Sequence, residues 1–176
     1  LPNFNGVDIR IKSSVNSLYE KIFSNFINDI FLFLSPYSYG YDEEKLESVL
    51  INLLIEKKYS LSIAESCTGG LISKKITDIP GSSSVYSGGL VVYSNKIKSP
   101  ILDINKSLIE SDGAVSKEVS ELMAINIKKK FKTDYSIATT GISGPTGGTD
   151  KKPIGLVYVS ILDSFDVIHT KEYYLN

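Results

Sequence analysis

The sequence predicts a layered α/β fold with a mostly parallel sheet, antiparallel at its end, preceded by a small α+β segment. Three observations carry this. From residue 42 onward, short apolar runs alternate with stretches of helical periodicity. Glycine-bearing turns follow two of the apolar runs, at 64–70 and 141–148. The 176 residues, 42% hydrophobic and 22% charged, suffice for one good core plus a smaller appendage.

The opening segment reads separately. Val7 to Ile11 alternates like a half-buried strand, and Val15, Leu18, Tyr19, Ile22, Phe23, Phe26, Ile27 and Ile30 recur at helical spacing. Phe31 to Leu34 reads as the start of another strand, and Ser35 to Gly40 as a linker. Residues 1–41 are thus expected to be the end of a preceding domain, with the main domain over 42–176. A start on Leu1 instead of Met fits a piece of something longer.

Asp42 is placed to cap a helix with Leu46, Val49, Leu50, Leu53 and Leu54 inward, and Glu43 and Glu44 suit its positive end. A strand over Ser60 to Ala64 follows, then a turn and a helix with Leu71, Ile72, Ile76 and Ile79 inward, ended by Pro80-Gly81. Val85 to Ser94 is apolar enough for an interior strand. A short helix starts at Ser94, with Pro100 expected to stop or kink it. Ser116 caps a helix through Phe131 whose inward stripe is Val119, Leu122, Met123, Ile127 and Phe131, with Met123 read as core. Tyr135 to Thr140 is a strand, and Ile154 to Leu162 pairs with Val167 to Tyr174 as a hairpin around Asp163-Ser164.

Composition excludes several functions. A net charge of -1 gives no basic field for nucleic acid, and Lys128, Lys129, Lys130 and Lys132 read as a solvated helix end. A single cysteine rules out an internal disulfide and suits a reducing cytoplasm. No apolar stretch reaches the length of a membrane span, and the first residues lack the pattern of a signal peptide. Neither a paired-carboxylate pattern nor a zinc-ligand set is present, so no metal and no cofactor are expected.

Chemistry is expected at the turn Ala64-Glu65-Ser66-Cys67-Thr68-Gly69-Gly70, where Ser66 and Cys67 are both potential nucleophiles. The helix start that follows offers unpaired N–H groups, and the amides beside Ser66 and Cys67 are expected to receive an oxyanion or an anionic substrate group. In a parallel sheet, loops leaving strand carboxyl ends share one edge, which would bring Ser66, Lys98 and Gly144 to one pocket. The loop from Gly141 to Gly148 could wrap a phosphate or ribose, although it matches neither the dinucleotide fingerprint nor a Walker loop. The one histidine, His169, lies in a polar strand and reads as exposed or structural, which disfavours a Ser-His-Asp triad. A desolvated lysine is the alternative base. Lys98 stands near the cleft with Tyr93 placed to orient it or relay a proton, while Lys74 and Lys75 are rivals by proximity.

Four stretches in order carry a resemblance: Ala64 to Gly70, Gly88 to Lys98, Gly113 to Ser116, and Thr140 to Gly148 with Lys152 to Gly155. Together they make residues 42 to 174 resemble the C-terminal domain of the CinA family, the nicotinamide-nucleotide amidases. The resemblance implies a three-layer α/β/α sandwich, often a homodimer. It also implies hydrolysis of the amide of nicotinamide mononucleotide to nicotinic acid mononucleotide and ammonia without a metal. It casts Ser66 as nucleophile, Lys98 as base and Tyr93 as their hydrogen-bonding partner. Thr68, Gly69 and Gly70, with Gly141, Ser143, Gly144, Gly147 and Gly148, would hold the nucleotide. The family continues past its last strand into a Gly-Asp-Arg-like turn and a closing helix, so a contact from that helix is expected to be lacking here. The alternative is a nucleotide-binding or regulatory module that keeps the cleft without hydrolysis. Joint retention of Ser66, Tyr93 and Lys98 favours the enzyme.

Overall fold

A computed structural model describes residues 2–3, 6–12, 19–40 and 44–175. The chain divides into two compact units, Leu1–Leu50 and Ile51–Asn176. In the first, β1 (Pro2–Asn3) pairs antiparallel with β2 (Gly6–Val7), and α1 spans Glu20–Leu34. The strand expected over Val7 to Ile11 therefore ends at Val7. Phe31 to Leu34, expected as a strand, is the last turn of α1. Those residues continue the apolar periodicity without a breaker, and a short apolar run carries no period of its own. The helix gives way at Ser35 and Pro36, whose ring nitrogen has no hydrogen to donate, and the Tyr37 and Ser38 amides turn back to the Leu34 carbonyl. Val15 and Leu18 lie outside the described residues, as do Asp42 and Glu43.

Helix α2 (Leu46–Lys57) buries Ile51 and Leu54, while Leu46 and Leu53 are exposed. Of the inward stripe the sequence suggested, Leu54 is buried and Val49 and Leu50 are half-buried, whereas Leu46 and Leu53 face outward and Ile51, not expected inward, is buried instead. The second unit continues with β3 (Leu61–Glu65), α3 (Leu71–Thr77), β4 (Tyr86–Val91), α4 (Asn95–Leu102), α5 (Lys106–Asp112) and α6 (Lys117–Phe131). It closes with β5 (Tyr135–Gly141), β6 (Leu156–Leu162) and β7 (Ile168–Tyr174). The sheet order is β4-β3-β5-β6-β7, parallel across the first three strands and antiparallel from β5 onward.

Two expectations change here. β4 is an edge strand, not an interior one, because β3 uses its other side for β5. Its residues alternate between half-buried and exposed, as on a strand with one covered face. Along α3, Ile76 is buried but Leu71, expected inward, is exposed.

The core forms where α6 crosses the sheet. Val119, Met123, Ala124 and Ile127 pack with Ala64, Val92, Leu102, Ile104, Ala138 and Leu162. Met123 is wholly buried, and Leu122 and Phe131 flank the cluster. Ser116 caps α6 by accepting from the Val119 amide at 3.3 Å. At the other end, Lys129, Lys130 and Lys132 are solvated, but Lys128 is not simply so. Its ammonium donates to the Asp163 carbonyl and to Asp166 Oδ1, both at 2.6 Å, and so pins the β6–β7 turn.

Candidate active site

The three parallel strands end in register: Glu65 lies opposite Val91 on one side and Thr139 on the other. The loops that follow them therefore leave one edge of the sheet, as expected. The roots of the first and third loops touch. A Cβ built on Gly141 would lie 3.1 Å from Cys67 Sγ, and also against the Leu156 carbonyl, so only glycine fits there.

Ser66 follows directly on β3 and is 5% exposed. Its amide donates to the Thr139 carbonyl at 3.0 Å, and its carbonyl accepts from the Gly69 amide at 3.1 Å, closing a tight turn. Gly69 and Gly70 take positive φ values of 61° and 98°, which the turn demands and a side chain would resist. The Thr68 and Thr139 hydroxyls bond each other at 2.8 Å.

Lys98 comes from the first turns of α4, where its amide donates to the Ser94 carbonyl. The helix runs on through Pro100 to Leu102, and Lys98 stays in place. Its ammonium nitrogen stands 2.9 Å from Ser66 Oγ and 3.2 Å from the Tyr93 carbonyl. The side chain is 1% exposed, and this burial pulls its pKa below the ordinary lysine value. Tyr93 thus meets Lys98 through its main-chain carbonyl, while its side chain points outward, 69% exposed. Of the two roles expected of Tyr93, orienting the amine and relaying a proton, the contact fits the first, made by the carbonyl and not the phenol.

The rival residues are elsewhere or in other environments. Lys74 and Lys75 are exposed on α3, and Lys74 pairs with Asp78. Cys67 is half-buried. Burial pushes its thiol up, against a smaller downward pull from the Lys98 charge and the amides of Cys67 and Thr68. His169 is the second residue of β7, at the opposite edge of the sheet, since Ser136 near the start of β5 pairs with Leu162 and Leu162 with Ile168. No triad with Ser66 is within reach.

Sequence reasoning missed Glu65 altogether. Its carboxylate is fully buried and accepts from the Gly70, Ile72 and Ser73 amides at 2.9, 3.1 and 2.8 Å, and from the Ser73 hydroxyl at 2.6 Å. Tyr86 in turn donates to Ser73 Oγ at 2.8 Å. Burial works to raise the Glu65 carboxyl, but the hydrogen bonds from Ser73, Thr68 and Ile72 outweigh it and hold the group below its ordinary value. The N–H groups of the α3 start, expected to be unpaired, are therefore taken by the protein's own carboxylate. The available signal was a lone glutamate at the end of an otherwise apolar and small-residue strand, six residues before a helix start.

Lys152 was also missed. Its ammonium donates to the Val115 carbonyl at 2.6 Å and to the Asp112 carbonyl, while Thr140 Oγ1 donates to the Ala114 carbonyl at 2.8 Å. These contacts tie the 113–116 stretch to the third loop. Within that loop Gly144 and Gly147 have φ of 75° and 93°, and Ile154 packs so closely on Gly144 and Gly148 that neither has room for a Cβ. Ser143 is exposed. Among the described residues no three His, Cys, Asp or Glu side chains converge as metal ligands, and no helix is long and apolar enough to cross a membrane.

Fold and site together define an α/β protein with a buried serine–lysine pair at the carboxyl edge of its sheet. The chain belongs to the CinA C-terminal domain family, whose model matches residues 43–176. It is 47% identical over 154 residues to a CinA-like protein of Prochlorococcus marinus subsp. pastoris, an alignment covering 88% of this chain and 34% of the relative. It is 53% identical over 126 residues to a competence-damage inducible protein of Thermoanaerobacter pseudethanolicus, covering 72% and 30%. The chain thus spans about a third of the length of these curated relatives. Among solved structures, the competence/damage inducible protein CihA from Agrobacterium tumefaciens superposes with a TM-score of 0.73 at 33% identity, covering 79% of this chain and 84% of that one. A CinA superfamily protein from Escherichia coli gives 0.72 at 28% identity, covering 81% and 86%.

Proposed function

We propose that this domain is an amide hydrolase acting on nicotinamide mononucleotide, with Ser66 as nucleophile and Lys98 as base. The observation that carries the reading is the 2.9 Å contact between a buried lysine and a buried serine, beside a glycine-rich loop at the carboxyl edge of the sheet. Burial lowers the Lys98 pKa and so favours the neutral amine, the form whose lone pair takes the serine proton. Ser66 Oγ then adds to the carboxamide carbon and the carbonyl π pair moves to oxygen. Collapse of the tetrahedral adduct breaks the C–N bond, and Lys98 returns its proton to the departing ammonia. Water, deprotonated by the same amine, attacks the ester and releases nicotinic acid mononucleotide and free Ser66. No step draws on a metal or cofactor. The Tyr93 carbonyl holds the amine in place throughout. Thr68, Gly69 and Gly70 with the loop from Gly141 to Gly148, including Ser143, are assigned to the nucleotide, and the working form is assigned as a homodimer in the cytoplasm.

The test is ammonia release from nicotinamide mononucleotide by the purified protein. Stoichiometric appearance of nicotinic acid mononucleotide supports the amidase. Tight nucleotide binding without ammonia would favour a nucleotide-binding module instead.

A further inference from the structure

We propose that Lys152 is a positioning residue for substrate binding: its ammonium plugs into a socket of main-chain carbonyls at 112–115 and so holds the glycine-rich loop in the shape that takes the nucleotide. The inference rests on the assignment of that loop to the nucleotide and names the residue that fixes it.

The loop needs such an anchor. β5 ends at Gly141 and β6 starts at Leu156, so fourteen residues without helix or strand intervene. A connection of that length in a compact domain is uncommon and is usually functional. Its root is closed by the Ile142 amide on the Leu156 carbonyl at 2.9 Å and by the Gly155 amide on the Ile142 carbonyl at 2.8 Å. Its far end folds on itself, Thr149 and Lys152 exchanging main-chain bonds at 2.8 and 3.1 Å. Beyond the root, among the described residues, the loop's hydrogen bonds to another part of the chain come from the Lys152 side chain, which donates to the Asp112 carbonyl and, at 2.6 Å, to the Val115 carbonyl.

The receiving stretch is shaped for an ammonium. Of its four successive carbonyls, the first and last take Lys152, Gly113 accepts from Ser116 Oγ at 3.1 Å, and Ala114 accepts from Thr140 Oγ1 at 2.8 Å. Ser116 caps α6 and Thr140 belongs to β5, so the socket is fixed to the core. Gly113 takes a φ of 75°, and a Cβ there would lie 2.9 Å from Lys152 Nζ, so glycine is what leaves the ammonium room. Charge strengthens both bonds relative to a neutral donor. Both acceptors are uncharged carbonyls, so these bonds leave the positive charge uncancelled, beside a loop assigned to an anionic nucleotide. From Lys152 the restraint passes through Pro153, whose ring fixes φ, to Ile154, which packs on Gly144 and Gly148. The side chain thus shapes the glycine turns while its hydrogen bonds reach neither Ser66 nor Lys98.

The experiment compares the wild type with Lys152→Met, which keeps an unbranched side chain and removes the ammonium. Turnover of nicotinamide mononucleotide is expected to show KM raised by about tenfold with kcat within about threefold, the mark of binding lost equally from ground and transition states. In ¹⁵N-resolved hydrogen exchange without ligand, the Ile142, Thr149 and Gly155 amides are expected to exchange about tenfold faster, with those of β3, β5 and α6 unmoved. A fall in kcat at unchanged KM overturns the proposal by placing Lys152 in the chemistry. Faster loop exchange at unchanged KM overturns it by making the strap structural only, and unchanged loop exchange overturns it whatever the kinetics. If the wild type releases no ammonia, the amidase reading falls alone: calorimetric binding of nicotinamide mononucleotide then replaces KM, with the same tenfold loss expected. A wild-type chain that does not bind this nucleotide removes the role of Lys152 in holding it. Should Lys152→Met fail to fold, Lys152→Gln, shorter and uncharged, gives the same comparison with the same deciding outcomes.

Discussion

The two ends of this sheet each hold a hydrogen-bonded acid–base pair, and they differ in everything that matters for chemistry. At the carboxyl edge Lys98 contacts Ser66 at 2.9 Å, and the lysine is 1% exposed. At the other edge His169 contacts Asp163 at 3.1 Å, with its side chain 60% exposed. By residue type the histidine is the more familiar base. By environment it is a solvated surface group, whereas the lysine has been desolvated toward its neutral form. Burial, more than residue identity, is what favours the lysine for the base role proposed above.

The largest expected effect is on turnover at the buried pair. Ser66→Ala and Lys98→Ala should each lower kcat by about a thousandfold or more, and the double variant should lose little beyond either, because residues acting as a unit are not additive. Additive losses in steady-state kinetics would separate the two residues and break the pair.

Next comes pH. Lys98 serves as base only when neutral, so kcat/KM should rise with pH through its folded pKa, below the ordinary lysine value of about 10.4, and Lys98→Arg should be inactive over that range. Stability carries the same signature. The folded pKa lies below the unfolded one, so between the two the unfolded chain binds more protons and stability rises with pH. Lys98→Met should therefore be more stable than wild type at neutral pH, with an advantage that shrinks toward pH 10. Parallel melting curves for the two proteins would expose the opposite sign directly.

A smaller effect is expected at Cys67. Its thiol is pushed up by burial and has no histidine partner, so Cys67→Ala should keep most of the turnover. If this change abolishes ammonia release in a folded protein while Ser66→Ala leaves it intact, the nucleophile is the thiol.

How much of this was legible follows from what each residue needs. The β3–α3 turn, the Ser116 cap, buried Met123 and the terminal hairpin depend on local pattern, and the sequence shows them. Phe31 to Leu34, and the outward Leu46 and Leu53 of α2, were misread because an apolar run or stripe does not say which neighbour will cover it. Helix α5 went unread, for Lys106 to Asp112 holds only Leu108 and Ile109 as large apolar residues. Ser66 and Lys98 were within reach as a resemblance, but Glu65 was not. Its role depends on amides five to eight positions ahead turning back on it, a property of the folded turn and not of composition.

The smallest expected effect completes the contrast. Asp163 already accepts from the Phe165 and Val167 amides at 2.9 Å each, and those bonds shape the β6–β7 turn without the imidazole. Solvent screens the His169–Asp163 contact, so its loss costs little. His169→Asn should then leave ammonia release unchanged and shift stability by less than about 0.5 kcal/mol. Asp163→Ala removes the acceptor of both turn amides and should cost more than His169→Asn in the same denaturant titration. A His169→Asn protein that folds normally but loses turnover would bring the far edge of the sheet into the chemistry, against the geometry that sets the two pairs apart.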